Sequence, residues 1–375
     1  CTLTPAQFRV SEKEIDAAYE QVDAGLIEAI RVAHDNIERF QRAVLMQEPE
    51  PVCGEGVELR MELKPVRSVG VYVPGGTAPL CSTVLMNAVP ARVAGVERII
   101  MTTPPGADGS VSADRLVAAR EAGIDEVYRL GGAQAVAALS FGTETVPQVE
   151  MIVGPGNVYV TLAKREVYGY VGIDLLGGPS EVVVIADETA RADWLAADIL
   201  SQAEHAPGSA ILLTTSEKIA EQVRTELQRQ LRQLGRAGAT AECLSNFSAL
   251  AVCRDIDECV DLANDLATEH LEIHTQDADG VADRILNAGA VFVGPFTPVA
   301  VGDYLAGPSH VLPTGGTAKF SSGLSANTFV RTVSRVRYDA RALGRAADPL
   351  RALTRAEGLD AHGKSVRARL EEDER

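Results

Sequence analysis

The run EVVVIA (Glu181 to Ala186), the turn Asp187-Glu188-Thr189 and then DWLAADILSQAEH (Asp193 to His205) form the stretch that decides the fold. The first segment is strand-like, and in the second Leu195, Ile199 and Gln202 recur at helical spacing, so a buried helical stripe ends in a polar residue. His205 lies three residues beyond Gln202, which places both side chains on one face, within reach of a common ligand such as a metal ion. Taken alone, the same spacing describes a glutamine closing a hydrogen-bond network and a histidine capping a helix C-terminus.

Strands and helices alternate outward from this stretch in both directions. On the N-terminal side, strand-like runs at 96–101, 126–130 and 151–153 are interleaved with helical runs at 113–122, 133–140 and 158–167. On the C-terminal side, strands are expected near 181–186, 210–214, 249–252, 271–274 and 290–293, again with helices between. Such alternation means parallel sheets flanked by helices. Two similar series in one chain predict an α/β protein of two Rossmann-like units facing a cleft that binds the ligand.

The flanks read differently. Ser11 and Glu14 have capping-box spacing, and Ile15, Tyr19, Val22, Ile27, Ile30, Ile37 and Phe40 then recur at roughly helical intervals around a break at Gly25, predicting two amphipathic helices. Residues 47–64 carry prolines and glycines and read as less regular. After Phe320 an arginine-rich segment of little β character reads as a helical tail, too short to fold alone. The expected division is residues 1–68 as N-terminal helices and connector packing on the second unit, 69–178 as the first α/β unit, 179–323 as the second, and 324–375 as the tail.

With 375 residues, 46% hydrophobic and 23% charged, the composition is that of a globular protein of about two domains. A formal charge of −17, without basic stripes or interleaved aromatics, argues against nucleic acid and anionic membrane as partners and leaves small molecules. No apolar run approaches a membrane span and the first residues carry no signal-peptide pattern, so a cytoplasmic protein is expected. The six scattered cysteines form no C-x-x-C pair and read as free thiols. The chain lacks an initiator methionine, as one beginning partway through a longer product would.

Several constellations could carry chemistry. Gly154-Pro155-Gly156-Asn157 ends a strand and opens a helix, where backbone N–H groups can approach an anionic group, although Tyr159 stands where a dinucleotide fingerprint needs its third glycine. Gly131-Gly132-Ala133-Gln134 and Pro74-Gly75-Gly76 are similar turns, and all three would lie at the carboxyl ends of strands in one unit. Glu269-His270 places a carboxylate beside an imidazole just before a strand, as general acid–base catalysis requires, though a solvated loop pair has the same sequence. His274, at the end of that strand, reads as an ordinary structural histidine. Asp303 and His310 share a glycine- and proline-bearing loop, and Glu357 and His362 lie in the tail. Together Gln202, His205, Asp303 and His362 would offer two nitrogens and two oxygens, a set suited to Zn²⁺ or a similar divalent ion.

Eight motifs, in order, resemble the histidinol dehydrogenase family: VGVYVPGG (69–76), GGAQAVAAL (131–139), GPGN (154–157), GGPSEVVVIAD (177–187), SQAEH (201–205), EHLEI (269–273), GDYLAGPSHVLPT (302–314) and EGLDAH (357–362). The resemblance implies a zinc-dependent enzyme, with one Zn²⁺ per subunit, that oxidises L-histidinol to L-histidinal and then to L-histidine with two NAD⁺, at the end of histidine biosynthesis. It implies Gln202, His205, Asp303 and His362 as metal ligands that also meet the substrate, His362 being lent by the other subunit of a homodimer. Ser180 and Glu357 are implied as substrate contacts, Tyr72, Gln134 and Asn157 as NAD contacts, and Glu269 and His270 as the acid–base pair, His270 also touching substrate. Thr268, Ser309 and Val299 depart from the family pattern; the last stands where several members carry glutamate that would meet the substrate's amino end. The N-terminal part is also shorter than in typical members.

Two other readings compete. A related zinc and NAD dehydrogenase could act on another amino alcohol or diol, and Glu357 and His310, which line an imidazole-sized site in the family, count against it. A zinc hydrolase or a non-catalytic metal-binding paralogue would show no NAD⁺ reduction with any alcohol, and the intact Glu269-His270 pair counts against loss of catalysis.

Overall fold

Valine and isoleucine runs bounded by turns form the strands of a doubly wound α/β architecture, which a computed structural model describes for residues 3–75, 80–205, 208–235 and 237–371. In chain order it begins with α1 (Glu12–Tyr19), α2 (Ala24–Val44), β1 (Val52–Gly54), β2 (Val57–Pro65), β3 (Ser68–Tyr72) and α3 (Cys81–Ala94). Next come β4 (Arg98–Thr103), α4 (Ala113–Glu121), β5 (Glu126–Arg129), α5 (Gly132–Phe141), β6 (Met151–Val153), α6 (Val158–Val167) and β7 (Gly172–Ile173). The second series comprises β8 (Ser180–Ala186), α7 (Ala192–Ala203), β9 (Gly208–Thr214), α8 (Glu217–Leu231), α9 (Ala237–Phe247), β10 (Ala249–Val252) and α10 (Ile256–Leu266). It continues with β11 (His270–His274), α11 (Ala278–Ala282), β12 (Ala290–Val293) and α12 (Val299–Tyr304), and the chain closes with β13 (Val330–Tyr338), α13 (Ala340–Ala356) and α14 (Asp360–Glu371).

The chain divides into two compact units, one of Cys1–Leu45 with Val66–Phe329 and one of Met46–Pro65 with Val330–Arg375. The first holds two five-stranded parallel sheets, ordered β5-β4-β3-β6-β7 and β10-β9-β8-β11-β12. Counted from its own first strand, each runs 3-2-1-4-5, the order of a Rossmann half, so the expectation of two Rossmann-like units holds. Each strand alternates between two apolar layers. In β8, Val182, Val184 and Ala186 face Leu195 and Ile199 of α7, whereas Val183 and Ile185 join Leu271 and Ile273 against α10.

The first sheet reverses strand order between β3 and β6, and the GPGN turn sits there. Gly154 has φ +109°, and a Cβ on it would come within 2.2 Å of the Tyr72 carbonyl oxygen, so only glycine lets the turn close on β3. The turn is locked from behind by Asp174, whose Oδ2 accepts from the Gly154 N–H at 2.7 Å, and by Lys164 of α6, which is ion-paired with Asp174 and donates to the Gly154 carbonyl at 3.1 Å. Both charges are buried. Lys164→Met should therefore leave Asp174 buried and unpaired and cost roughly 3–5 kcal/mol of stability, readable by urea denaturation; a loss below about 1 kcal/mol would show that the pair does not hold the turn.

Three expectations need correction. The N-terminal helices pack mainly on the first α/β unit: α1 lies on α4 and α2 on α3 and α4, because Ile15, Ala18, Ile30, Ala33 and Ile37 enter the apolar layer of Val84, Leu116 and Val117. The far end of α2 also reaches the loops after the second sheet, through Gln41 to the Gly307 carbonyl. The stretch read as irregular contains β1 and β2, and the tail read as helical begins with the nine-residue strand β13, antiparallel to β2. In β13 Val330, Val333 and Val336 recur every third residue, which mimics a helix. The strand is set instead by pairing with a distant partner, with Arg335 3.1 Å from Glu62. The turn expected at Pro74-Gly75-Gly76 runs into the undescribed residues at Gly76.

The Ser11–Glu14 capping box forms, and five cysteines, Cys53, Cys81, Cys243, Cys253 and Cys259, are free. No helix among the described residues is long and apolar enough to cross a membrane.

Candidate active site

At the amino edge of the second sheet, β8 and β11 lie side by side, with His270 opposite Val182. The Glu269 carboxylate reaches back across this edge. Its Oε2 accepts from the Ser180 hydroxyl at 2.5 Å and from the Glu181 N–H at 2.9 Å. Burial pushes the Glu269 carboxyl above its ordinary range, against the charge of His270 and these two hydrogen bonds.

His270 is buried too. Its Nδ1 lies 3.1 Å from the Glu181 carbonyl oxygen, which can only accept, so in the neutral ring the proton sits on Nδ1 and Nε2 carries the lone pair. That Nε2 is buried without a hydrogen-bond partner and lies 3.6 Å from Asp303 Oδ1. Burial disfavours the imidazolium, but Asp303 and Glu269 outweigh it and raise the pKa of His270. Asp303 responds in the opposite sense. Burial would raise it, yet His270, His310 and His205 hold the carboxyl below its usual range.

Two elements bring the remaining donors. The one-and-a-half-turn helix α12 carries Asp303 and packs so closely that a Cβ on Gly302 would meet the Phe292 ring at 2.5 Å. The same ring lies 5.9 Å from that of His270. His310 Nδ1 is 3.0 Å from the Asp303 carbonyl, and burial lowers its pKa. A cavity of about 160 Å³ is lined here by Phe292, Val301, Gly302, Asp303, His310 and Leu312, among others. On α7, Gln202 is buried with its amide Nε2 unpartnered, and His205 is exposed just beyond the helix end.

Gln202 ends in a buried amide without a partner, and Asp303 is a buried carboxylate held in its charged form, two kinds of group that a cation site uses. Since amide oxygen and nitrogen are interchangeable by a flip, the Gln202 end can offer its oxygen. The donor set of amide, imidazole and carboxylate fits a zinc-class ion.

The other expected residues fall in separate places. Tyr72 is buried, and its hydroxyl accepts from the Gly132 N–H at 3.0 Å, bracing the GGAQ turn. Gln134 is exposed on the first turn of α5. Asn157 caps α6, its Oδ1 accepting from Tyr159 and Val160 N–H groups, which leaves its amide donors free. Glu357 ends α13 and His362 lies on α14, both exposed and both in the unit that contains β13. Sequence reasoning passed over Glu181, whose carboxylate accepts from the Gly315 N–H and whose pKa is raised by burial. Inside a valine run it gives no signal.

The family profile described as "Histidinol dehydrogenase" matches residues 2–370. The chain is 50% identical over 374 residues to "Histidinol dehydrogenase" of Heliobacterium mobile, covering 99% of this chain and 87% of that one. It is 49% identical over 368 residues to the protein of the same name from Synechococcus sp., covering 98% and 85%. The chain belongs to the histidinol dehydrogenase family. The crystal structure of histidinol dehydrogenase from Elizabethkingia anophelis superposes with a TM-score of 0.93 at 39% identity, over 98% of this chain and 85% of that one. An acetylating aldehyde dehydrogenase from Geobacillus thermoglucosidasius, at 16% identity and a TM-score of 0.51, shares the fold alone. As a histidinol dehydrogenase, the protein is an NAD-dependent oxidoreductase of histidine biosynthesis that acts on an alcohol and an aldehyde and uses zinc.

Proposed function

We propose that the second sheet's amino edge carries the chemistry of L-histidinol oxidation to L-histidine, with Glu269 and His270 as the acid–base pair. One observation carries this reading: the buried His270 ring lies between two carboxylates, Glu269 3.6 Å from Nδ1 and Asp303 3.6 Å from an otherwise unpartnered Nε2, with its neutral tautomer set by the Glu181 carbonyl. In that tautomer Nε2 accepts the proton of the substrate's hydroxyl. Glu269, tied to Ser180 and Glu181 and raised by burial, is suited to take a proton from the water that adds to the aldehyde in the second step. Ser180 then has two tasks, orienting Glu269 and meeting the substrate.

Gln202, His205 and Asp303 hold the metal in this reading, joined by His362 from a second copy. Zinc there supplies an anchor for the substrate's nitrogen atoms, and NAD supplies the hydride acceptor at each step. Residues 69–178, with Tyr72, Gln134 and Asn157 at the carboxyl ends of β3, β5 and β6, form the NAD side, and residues 179–323 form the metal side. Val299 is buried, so it leaves the substrate's amino group to other contacts such as Glu357.

A homodimer is the assembly this requires. Among its described residues, the unit of β1, β2, β13, α13 and α14 buries a single hydrophobic side chain, Ala342, while Val336, Tyr338, Leu353 and Leu359 are exposed. A unit so poor in core needs another surface to cover it. A biosynthetic enzyme of this kind belongs in the cytoplasm.

The test is NADH formation from L-histidinol and NAD⁺. Two NADH per substrate are expected, with activity abolished by chelation and restored by Zn²⁺; one NADH per substrate, or none, would sink the reading.

A further inference from the structure

Strand β11 presents two contrasting faces. Leu271 and Ile273 enter the apolar layer against α10, so His270, Glu272 and His274 point together toward α7. His270 belongs to the site above. Glu272 and His274 lie deeper, both buried, and Asp198 of α7 meets them.

The three side chains converge on one point. His274 Nε2 is 3.6 Å from Glu272 Oε2 and 3.8 Å from Asp198 Oδ2, and the three nearest donor atoms all lie within 4.8 Å of one another. Both His274 Nε2 and Glu272 Oε2 are buried without a hydrogen-bond partner. Glu272 is also aimed: its other oxygen accepts from the Val299 N–H at 2.8 Å, which turns Oε2 inward. Outer hydrogen bonds of this kind orient carboxylates that ligate metals. Donors around a tetrahedral zinc-class ion stand ~3.3–3.6 Å apart, and His274 Nε2 is already close to that spacing from both carboxylates.

Charge points the same way. Two carboxylates face each other in the apolar layer of Leu195, Ile199, Phe292 and Val299. A divalent cation would neutralise the pair.

We infer that Asp198, Glu272 and His274 form a second, buried metal site for a divalent first-row transition cation, separate from the Gln202, His205 and Asp303 set. Its role is structural. Asp198 lies one helical turn before Gln202 on α7, Glu272 two residues after His270 on β11, and Val299 begins the helix that carries Asp303. One ion there braces the three elements that position the active site. The inference does not depend on the assignment of Gln202, His205 and Asp303.

Metal analysis of the full-length protein, reconstituted with Zn²⁺ and freed of excess by gel filtration, tests it. The wild type should hold about two zinc ions per chain, and His205→Ala, His274→Gln and Asp198→Asn about one each. Chelation should lower the Tm of His205→Ala, which keeps only the structural ion. If His274→Gln does not fold, Asp198→Asn, near the surface, decides. A wild type with one ion that His205→Ala loses and both triad variants keep would overturn the inference and leave the proposed function standing. One ion that the triad variants lose and His205→Ala keeps would support the triad and overturn the other ligand set.

Discussion

His270→Asn should lower turnover of L-histidinol by roughly 10²–10⁴-fold, the usual contribution of a positioned general base, while zinc content stays at the wild-type level. The split follows from the geometry. Nδ1 is engaged by the Glu181 carbonyl and Nε2 has no other partner, so the ring's free lone pair serves nothing structural. Asparagine can keep the donation to Glu181 but cannot accept a proton at the Nε2 position. Glu269→Gln separates the two steps: it keeps hydrogen-bonding capacity toward Ser180 and Glu181 yet cannot take a proton from water. L-histidinal oxidation should therefore fall more than L-histidinol oxidation, measured with each compound supplied directly. Unchanged turnover in His270→Asn at full zinc occupancy would remove His270 from its role.

Much of the architecture was legible because local pattern and tertiary structure agree. EVVVIA became β8, and the Leu195, Ile199, Gln202 stripe became the buried face of α7. The segments that escaped notice are those whose conformation depends on distant partners. The charged β13 is a strand because β2 lies beside it, with Glu58 opposite Arg337 and Glu62 diagonal to Arg335. Helix α3 buries ten consecutive residues from Ser82 to Ala91, with Pro90 among them, so no polar face marks its period.

The site shows the same division. Glu269 and His270 stand out because they are adjacent, and Gln202 and His205 because they share a helix end. Tyr72 sits in a glycine-rich motif, but its hydroxyl bonds the Gly132 N–H, a contact visible only once β3 and the GGAQ turn come together. Asp198 and Glu272 are unremarked in sequence, and His274 reads there as an ordinary structural histidine, because a strand and a helix far apart in the chain bring the three together.

The largest loss should come from the residue least connected to the others in the chain. His362→Ala should weaken zinc retention by more than the roughly 10–100-fold typical of outer-shell partners, since in the proposed site a ligand itself is removed, and activity should fall with it. The informative experiment combines it with His205→Ala. In a two-fold dimer with exchanged histidines, one site of the mixed dimer lacks both imidazoles, whereas the other takes His205 from one chain and His362 from its partner and is whole. Random pairing of equal amounts makes half the dimers mixed, so activity should recover to about a quarter of the wild-type value from two nearly inactive parents. If each site were built from a single chain, every site in the mixture would carry one defect and nothing would return. The exposed, core-poor unit of β2, β13, α13 and α14 makes the first outcome the expected one, because a surface that needs covering is also one that can deliver His362 to a neighbour.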